Sequence, residues 1–194
     1  LFMGTPGWLT PKGPDSDSIM ETTGIKSDIW QRSARSTTTT IIGSAISQMD
    51  AYGLDEKGRY YSPVLNIMDE NAQKLGYVKT NDGRKAWSYG KKENADGTVT
   101  YLCNSPAITS AELRRIAKEA GVHCYCDSDK GVVYANNSMI AFHTATAGTY
   151  TLRAKEPVKW KMVYPTMEDS FSKSEQSHAF TALRADTYIF VIEP

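Results

Sequence analysis

The chain has 194 residues, 40% hydrophobic and 23% charged, with 22 Lys plus Arg balanced by 22 Asp plus Glu. This is the composition of a globular protein, long enough for one medium domain or two small ones. The zero formal charge excludes the basic excess that a nucleic-acid partner or an anionic membrane surface demands, and no apolar run approaches the roughly 18 residues that span a bilayer.

Leu1-Phe2-Met3 is apolar and stops at Gly4-Thr5-Pro6-Gly7-Trp8, a turn-rich loop that continues through Pro11 and Pro14. It reads as the end of a buried strand. A domain seldom starts inside a strand, so the chain is expected to be cut from a longer one. The first residues lack the basic start and apolar stretch of a signal peptide. Asp15 or Ser16 caps a short helix to Thr22 that Gly24 closes. Strand, loop and helix in this order open an α/β unit. Residues 25–46 are polar, but Thr37 to Thr40 running into Ile41-Ile42 favours strand. Gly53 to Tyr60 is charged and turn-like, and Tyr61 to Met68 is a strand that Pro63 makes an edge or irregular one. Gly76 to Thr80 and Lys85 to Tyr89 flank Asn81-Asp82-Gly83, a hairpin signal. Asn94-Ala95-Asp96-Gly97 turns the chain into a strand at Thr98 to Leu102.

The clearest helix follows. Thr109 caps it, Glu112 completes a capping box, and Leu113, Ile116, Ala117 and Ala120 share one face before Gly121. Val122 to Tyr125 then resumes as strand. Past Asp127 the helical period disappears, and six short strands are predicted at 132–136, 138–144, 149–153, 158–163, 179–183 and 188–192. Regular short strands with turns between them are the pattern of a sandwich or barrel. The expected fold is an incomplete α/β domain over 1–126 followed by a small antiparallel β-sandwich over 127–194.

The run Leu113-Arg114-Arg115-Ile116-Ala117-Lys118-Glu119-Ala120-Gly121-Val122-His123, the Tyr125-x-Asp127 pair and Val132-Val133-Tyr134-Ala135-Asn136 form a distinctive set. Together with His143, Ala147-Gly148-Thr149 and Thr151-Leu152-Arg153 it resembles the C-terminal region of β-galactosidase-like glycoside hydrolases of family 42 type. Gly4-Thr5-Pro6-Gly7-Trp8 and Glu21-Thr22-Thr23-Gly24-Ile25 resemble segments of their middle domain. The resemblance implies a catalytic (β/α)₈ barrel upstream, then a flavodoxin-like, amidotransferase-related domain to which residues 1–126 belong, then the sandwich. No part of the chain resembles the barrel, so no catalytic residue carries over. The role expected is bracing that barrel or mediating contacts in a homo-oligomer.

Each chemically suggestive residue also has a plainer reading. Retaining glycosidases need two carboxyls about 5 Å apart, one of them protonated, whereas Glu112 has a capping task and Glu119 lies late on its helix. Cys103, between strand and helix, stands where a nucleophile could, and a stand-alone amidotransferase-like enzyme would pair it with His123. The tight Gly-flanked turn of such a nucleophile is missing. His123-Cys124-Tyr125-Cys126 invites a metal, but on a strand the two thiols face away from the imidazole, and three cysteines allow no complete disulfide framework. Asp127-x-Asp129-x-Gly131 lacks the remaining ligands of a calcium loop. No metal or cofactor is expected, and the cellular compartment stays open. Asn136-Asn137-Ser138 fits a glycosylation sequon and a hairpin turn equally. A carbohydrate-binding module would use exposed aromatic rings: Trp8, Trp30 and Trp87 are the candidates, whereas Trp160, alternating with Val158 and Met162, reads as core.

Overall fold

The computed structural model describes residues 1–35, 37–42, 45–49, 60–106 and 108–194. The backbone forms two compact units, Leu1–Thr109 and Ser110–Pro194.

In chain order the first unit contains β1 (Phe2–Met3), β2 (Leu9–Thr10), β3 (Gly13–Pro14), α1 (Asp17–Thr23), β4 (Ser27–Trp30), β5 (Ala34–Arg35), β6 (Thr38–Ile42), β7 (Ala45–Met49), β8 (Tyr60–Tyr61), β9 (Val64–Ile67), β10 (Gln73–Lys79), β11 (Lys85–Glu93) and β12 (Val99–Cys103). Its main sheet runs β1-β12-β11-β10-β6-β7, beside the two-stranded pairs β2–β3, β4–β9 and β5–β8. Helix α1 forms as expected. Asp15 Oδ1 accepts the Asp17 amide, and Gly24 takes the left-handed conformation (φ 73°) that ends the helix. Ile19 and Thr23, four residues apart, turn the same face inward.

The Asp82-Gly83 turn joins β10 to β11, with Gly83 at φ 82°. Asn94 to Gly97 likewise joins β11 to β12. The strand at the start of the chain exists, but as a sheet edge: β1 lies parallel to β12, with Phe2 half-buried and Met3 51% exposed. Every other described pairing of this sheet is antiparallel. Among the described residues the unit is therefore mostly β with one short helix, not a regular alternation of strand and helix. The threonine run explains why. Thr38 and Thr40 are buried while Thr39 is not, the period of a strand, but hydroxyl-bearing residues hide that period from a hydrophobicity reading. Pro63 separates β8 from β9, which pairs with β4 alone. The charged turn expected at Gly53 to Tyr60 lies outside the described residues, apart from Tyr60. Ile19, Ile25, Leu65, Ile67, Ala72 and Leu102 make one core cluster; Ala34, Val64, Val78 and Ala86 make another.

The second unit contains α2 (Ser110–Glu119), β13 (Gly131–Ala135), β14 (Met139–Thr144), β15 (Gly148–Tyr164), β16 (Glu175–Ala182) and β17 (Thr187–Glu193). Its sheet order is β13-β14-β17-β15-β16, antiparallel throughout. The two strands predicted on either side of Pro157 are one long β15, which exchanges partners there. Its first half pairs with β16 up to Arg153 and, past a register shift, once more at Val158 opposite Glu175; from Lys159 it pairs with β17. A proline cannot donate to a ladder, and at a register shift it is not asked to. The strand thus turns two sheet halves around one core of Ile140, Phe142, Tyr150, Leu152, Trp160, Phe180 and Phe190, a sandwich-like arrangement. Trp160 is fully buried in it, as its alternation predicts. Gly131 is required by close approach, since a Cβ there would lie 2.5 Å from the Phe142 ring and 2.7 Å from the His143 carbonyl. Asn136 Oδ1 shapes the β13–β14 turn by accepting the Ser138 and Met139 amides.

Two expectations here are corrected. The buried residues of α2 are Glu112 and Ile116, while Leu113 is 40% exposed. A carboxylate can go under because Arg115 neutralises it with two short hydrogen bonds. Residues 122–125 form no strand either. A single bridge, Cys126 to Leu152, and individual bonds to β15 hold this segment, so no ladder develops.

Candidate functional site

The acidic residues singled out on α2 and at Asp127 are already engaged. Glu112 and Glu119 both grip Arg115, at 2.7 and 3.0 Å. Asp127 bridges Lys118 (2.7 Å) and Arg153 (3.0 Å), and the Lys118 hydrogen bond leads the interactions holding its carboxyl below the usual range. Asp69, Asp82, Asp96 and Asp186 are likewise shifted downward. A glycosidase acid needs a carboxyl pushed the other way.

Cys103 sits on β12 between Met3 and Tyr89, fully buried, with its thiol 3.5 Å from the Ser105 carbonyl. Burial disfavours a thiolate, the form that attacks. His123 lies 2.9 Å from the Arg153 carbonyl through Nε2, and since a carbonyl only accepts, Nε2 carries the proton. None of the three cysteines is in a disulfide; Cys103 and Cys126 are buried, and Cys124 is partly exposed. Ellman's reagent is therefore expected to label one thiol of the native chain, Cys124, and all three after denaturation. Rapid native labelling of Cys103, mapped by mass spectrometry, would contradict the burial argument. Among the described residues no three His, Cys, Asp or Glu side chains gather to hold a metal.

The three candidate tryptophans are half-buried and lean on core. Trp8 and Trp87 pack against the cluster around Leu65 and Ile67, and Trp30 against that around Val64 and Val78. Trp87 differs in also reaching a second ring. It meets Tyr77 edge-on at 5.5 Å and 78°, a favoured aromatic geometry. Lys85 lies over the Tyr77 ring at 4.6 Å and Lys74 over Trp87 at 5.8 Å. Beside this pair opens a cavity of about 380 Å³ lined by Arg35, Thr37, Thr39, Tyr77 and Lys79. The pairing explains the assembly: Tyr77 faces Thr39 across β10–β6, and Lys79 faces Lys85 across β10–β11. Sequence reading reached Trp87 and missed Tyr77, Arg35, Thr37, Thr39 and Lys79. The available signal was the alternation of Tyr77 and Lys79 on the hairpin strand.

The second unit has a cleft of about 390 Å³ between α2, residues 122–127 and β15–β16, lined by Lys118, His123, Cys124, Asp127, Arg153 and Gln176 among others. Its two cations are both spent on Asp127. Among the described residues the cavity at Tyr77 has no carboxylate in its lining, and it is the better candidate for a charged or polar ligand.

No protein-family model and no curated protein matches the chain. Among solved structures it is similar to the β-galactosidase of Bacillus circulans sp. alkalophilus, with 12% identity and a TM-score of 0.47 over 91% of this chain and 25% of that one. It is also similar to the cold-adapted β-galactosidase of Rahnella sp. R3, with 10% identity and a TM-score of 0.45 over 90% of this chain and 25% of that one. The chain thus spans about a quarter of the length of either enzyme. No helix among the described residues is long and apolar enough to cross a membrane.

Proposed function

We propose that the chain is a non-catalytic accessory region of a multidomain glycoside hydrolase of β-galactosidase type, the family 42 class that its motifs resemble. The observation that carries this is the commitment of its carboxylates. Glu112, Glu119 and Asp127 are closed into ion pairs with Arg115, Lys118 and Arg153, whereas a general acid must be free to hand its proton to the substrate. On this reading residues 1–126 derive from a flavodoxin-like middle domain. The parallel β1–β12 pair, with loop and α1 following β1, supports that descent. Residues 127–194 are the C-terminal sandwich, and the region braces an upstream catalytic barrel or joins copies of the parent. Assay of 4-nitrophenyl glycosides tests the reading. The expected result is turnover by a source polypeptide larger than these 194 residues and none by the chain alone. Turnover by the chain that disappears in Glu112→Gln or Asp127→Asn would overturn it.

A second reading, carbohydrate binding, is favoured by one observation: Trp87 is joined edge-on to Tyr77 at the rim of a polar cavity. Trp8 and Trp30 have no such neighbour described.

A further inference from the structure

We infer that the cavity on the β6–β10–β11 face binds an acidic saccharide, a pyranose ring that carries a carboxylate. This rests on the carbohydrate-binding reading and adds to it the charge of the ligand.

Charge is the first argument. Lys79 and Lys85 stand directly opposite each other across the ladder, where like charges destabilise a sheet. Arg35 lines the same cavity, and no carboxylate among the described residues does. The acid of the adjoining turn, Asp82, is held by Arg32 at 2.8 Å and Arg84 at 3.4 Å. In a chain whose charges cancel overall, Arg35 and Lys79 line the cavity and Lys85 stands over its Tyr77 ring, with no acidic residue among the described lining. An anion between them relieves the repulsion, and a guanidinium takes a carboxylate through two parallel hydrogen bonds.

The remaining lining selects what carries the carboxylate. Tyr77 offers a half-buried ring fixed edge-on by Trp87, a flat platform for the C–H face of a sugar. Thr39, opposite Tyr77 in the ladder, and Thr37 line the cavity with it, and a threonine hydroxyl can both donate to and accept from a ring hydroxyl. A volume of about 380 Å³ lies in the range of small-ligand sites. The described lining comes from strands and from Thr37 just before β6, and it includes no helix N-terminus or Gly-rich loop to cradle a phosphate. Lys85 completes the device. Its ammonium rests over Tyr77 at 4.6 Å, and an incoming carboxylate offers it a charged partner, drawing it off the ring that the sugar then covers.

The test is calorimetric titration of the full chain with trigalacturonate, galactotriose and inorganic tripolyphosphate. Arg35→Gln and Lys79→Gln alter exposed side chains, so both variants are expected to fold. Trigalacturonate should bind, weaken as salt rises, and lose roughly 10-fold in affinity with each substitution, which corresponds to about 1.4 kcal/mol. Equal affinity for galactotriose would overturn the acid preference and leave carbohydrate binding standing. No binding of either saccharide overturns both. Tripolyphosphate that binds as tightly as the saccharide overturns the inference by reducing the site to a patch of positive charge, and binding unaffected by both substitutions places the ligand elsewhere and also overturns it.

Discussion

Trp160→Ala is expected to cost the second unit roughly 3–5 kcal/mol, a large part of the 5–15 kcal/mol by which a domain is ordinarily stable. The indole is fully buried. Its ring stacks on His178 at 5.4 Å and meets Phe190 edge-on at 6.3 Å, and Nε1–H donates to the Glu175 carbonyl at 3.0 Å. It also sits where β15 has just exchanged β16 for β17, opposite Ile192. Truncation therefore opens a cavity where the two sheet halves join. Trp160→Phe separates the contributions: it keeps most of the apolar volume and loses the hydrogen bond, for an expected loss of about 1–3 kcal/mol. Urea denaturation followed by circular dichroism gives the totals, and hydrogen exchange at β15 and β16 amides localises them. A Trp160→Ala chain with unchanged exchange protection in these strands would show that the indole is not the centre of this core.

The second unit was legible in the sequence for a physical reason. Its strands alternate large apolar and polar side chains, so Phe142, Leu152, Trp160, Tyr188 and Phe190 announce the inward face. Pro157 misled only by suggesting a break where the strand in fact changes partners. The first unit was less legible because its buried positions include Thr38, Thr40, Ser88 and Thr100, which carry strand geometry without hydrophobic contrast. The candidate site was hardest. Arg35, Thr39, Tyr77 and Lys79 come from strands separated by a long stretch of chain, joined by the β10–β6 register and the Ala34–Thr80 bridge. A single sequence displays alternation within a strand; it does not display which strands become neighbours.

Lys92 shows what such long-range pairing is worth, and Lys92→Met is expected to destabilise the first unit by about 3 kcal/mol near neutral pH. Its ammonium, on β11, donates to Asp69 Oδ2 and to the Gly24 carbonyl, both at 2.7 Å, so one charge ties the end of α1 to the loop after β9. The Asp69 side chain is 6% exposed and that of Lys92 18%, which puts the expected loss at the lower end of the range for breaking a buried pair. Desolvation alone would raise the Asp69 carboxyl, but the Lys92 hydrogen bond, the Lys26 and Asn71 amides and the Lys92 charge outweigh it and hold the pKa below the ordinary value. A depressed folded-state pKa adds stability that is fully present above the unfolded value, about 3.9. It is lost as pH falls through the folded value. With methionine at 92 the desolvation is no longer countered by the ammonium, so Asp69 takes up its proton at higher pH, and acidification removes less stability from the variant than from the parent. The gap between the two proteins should therefore be widest near pH 7 and narrow below about pH 4, once Asp69 is neutral in both. Asp69→Asn combined with Lys92→Met should recover part of the loss at neutral pH by removing the stranded charge, whereas a gap of constant size across the acid range would mean that Lys92 acts through its contact with Gly24 alone.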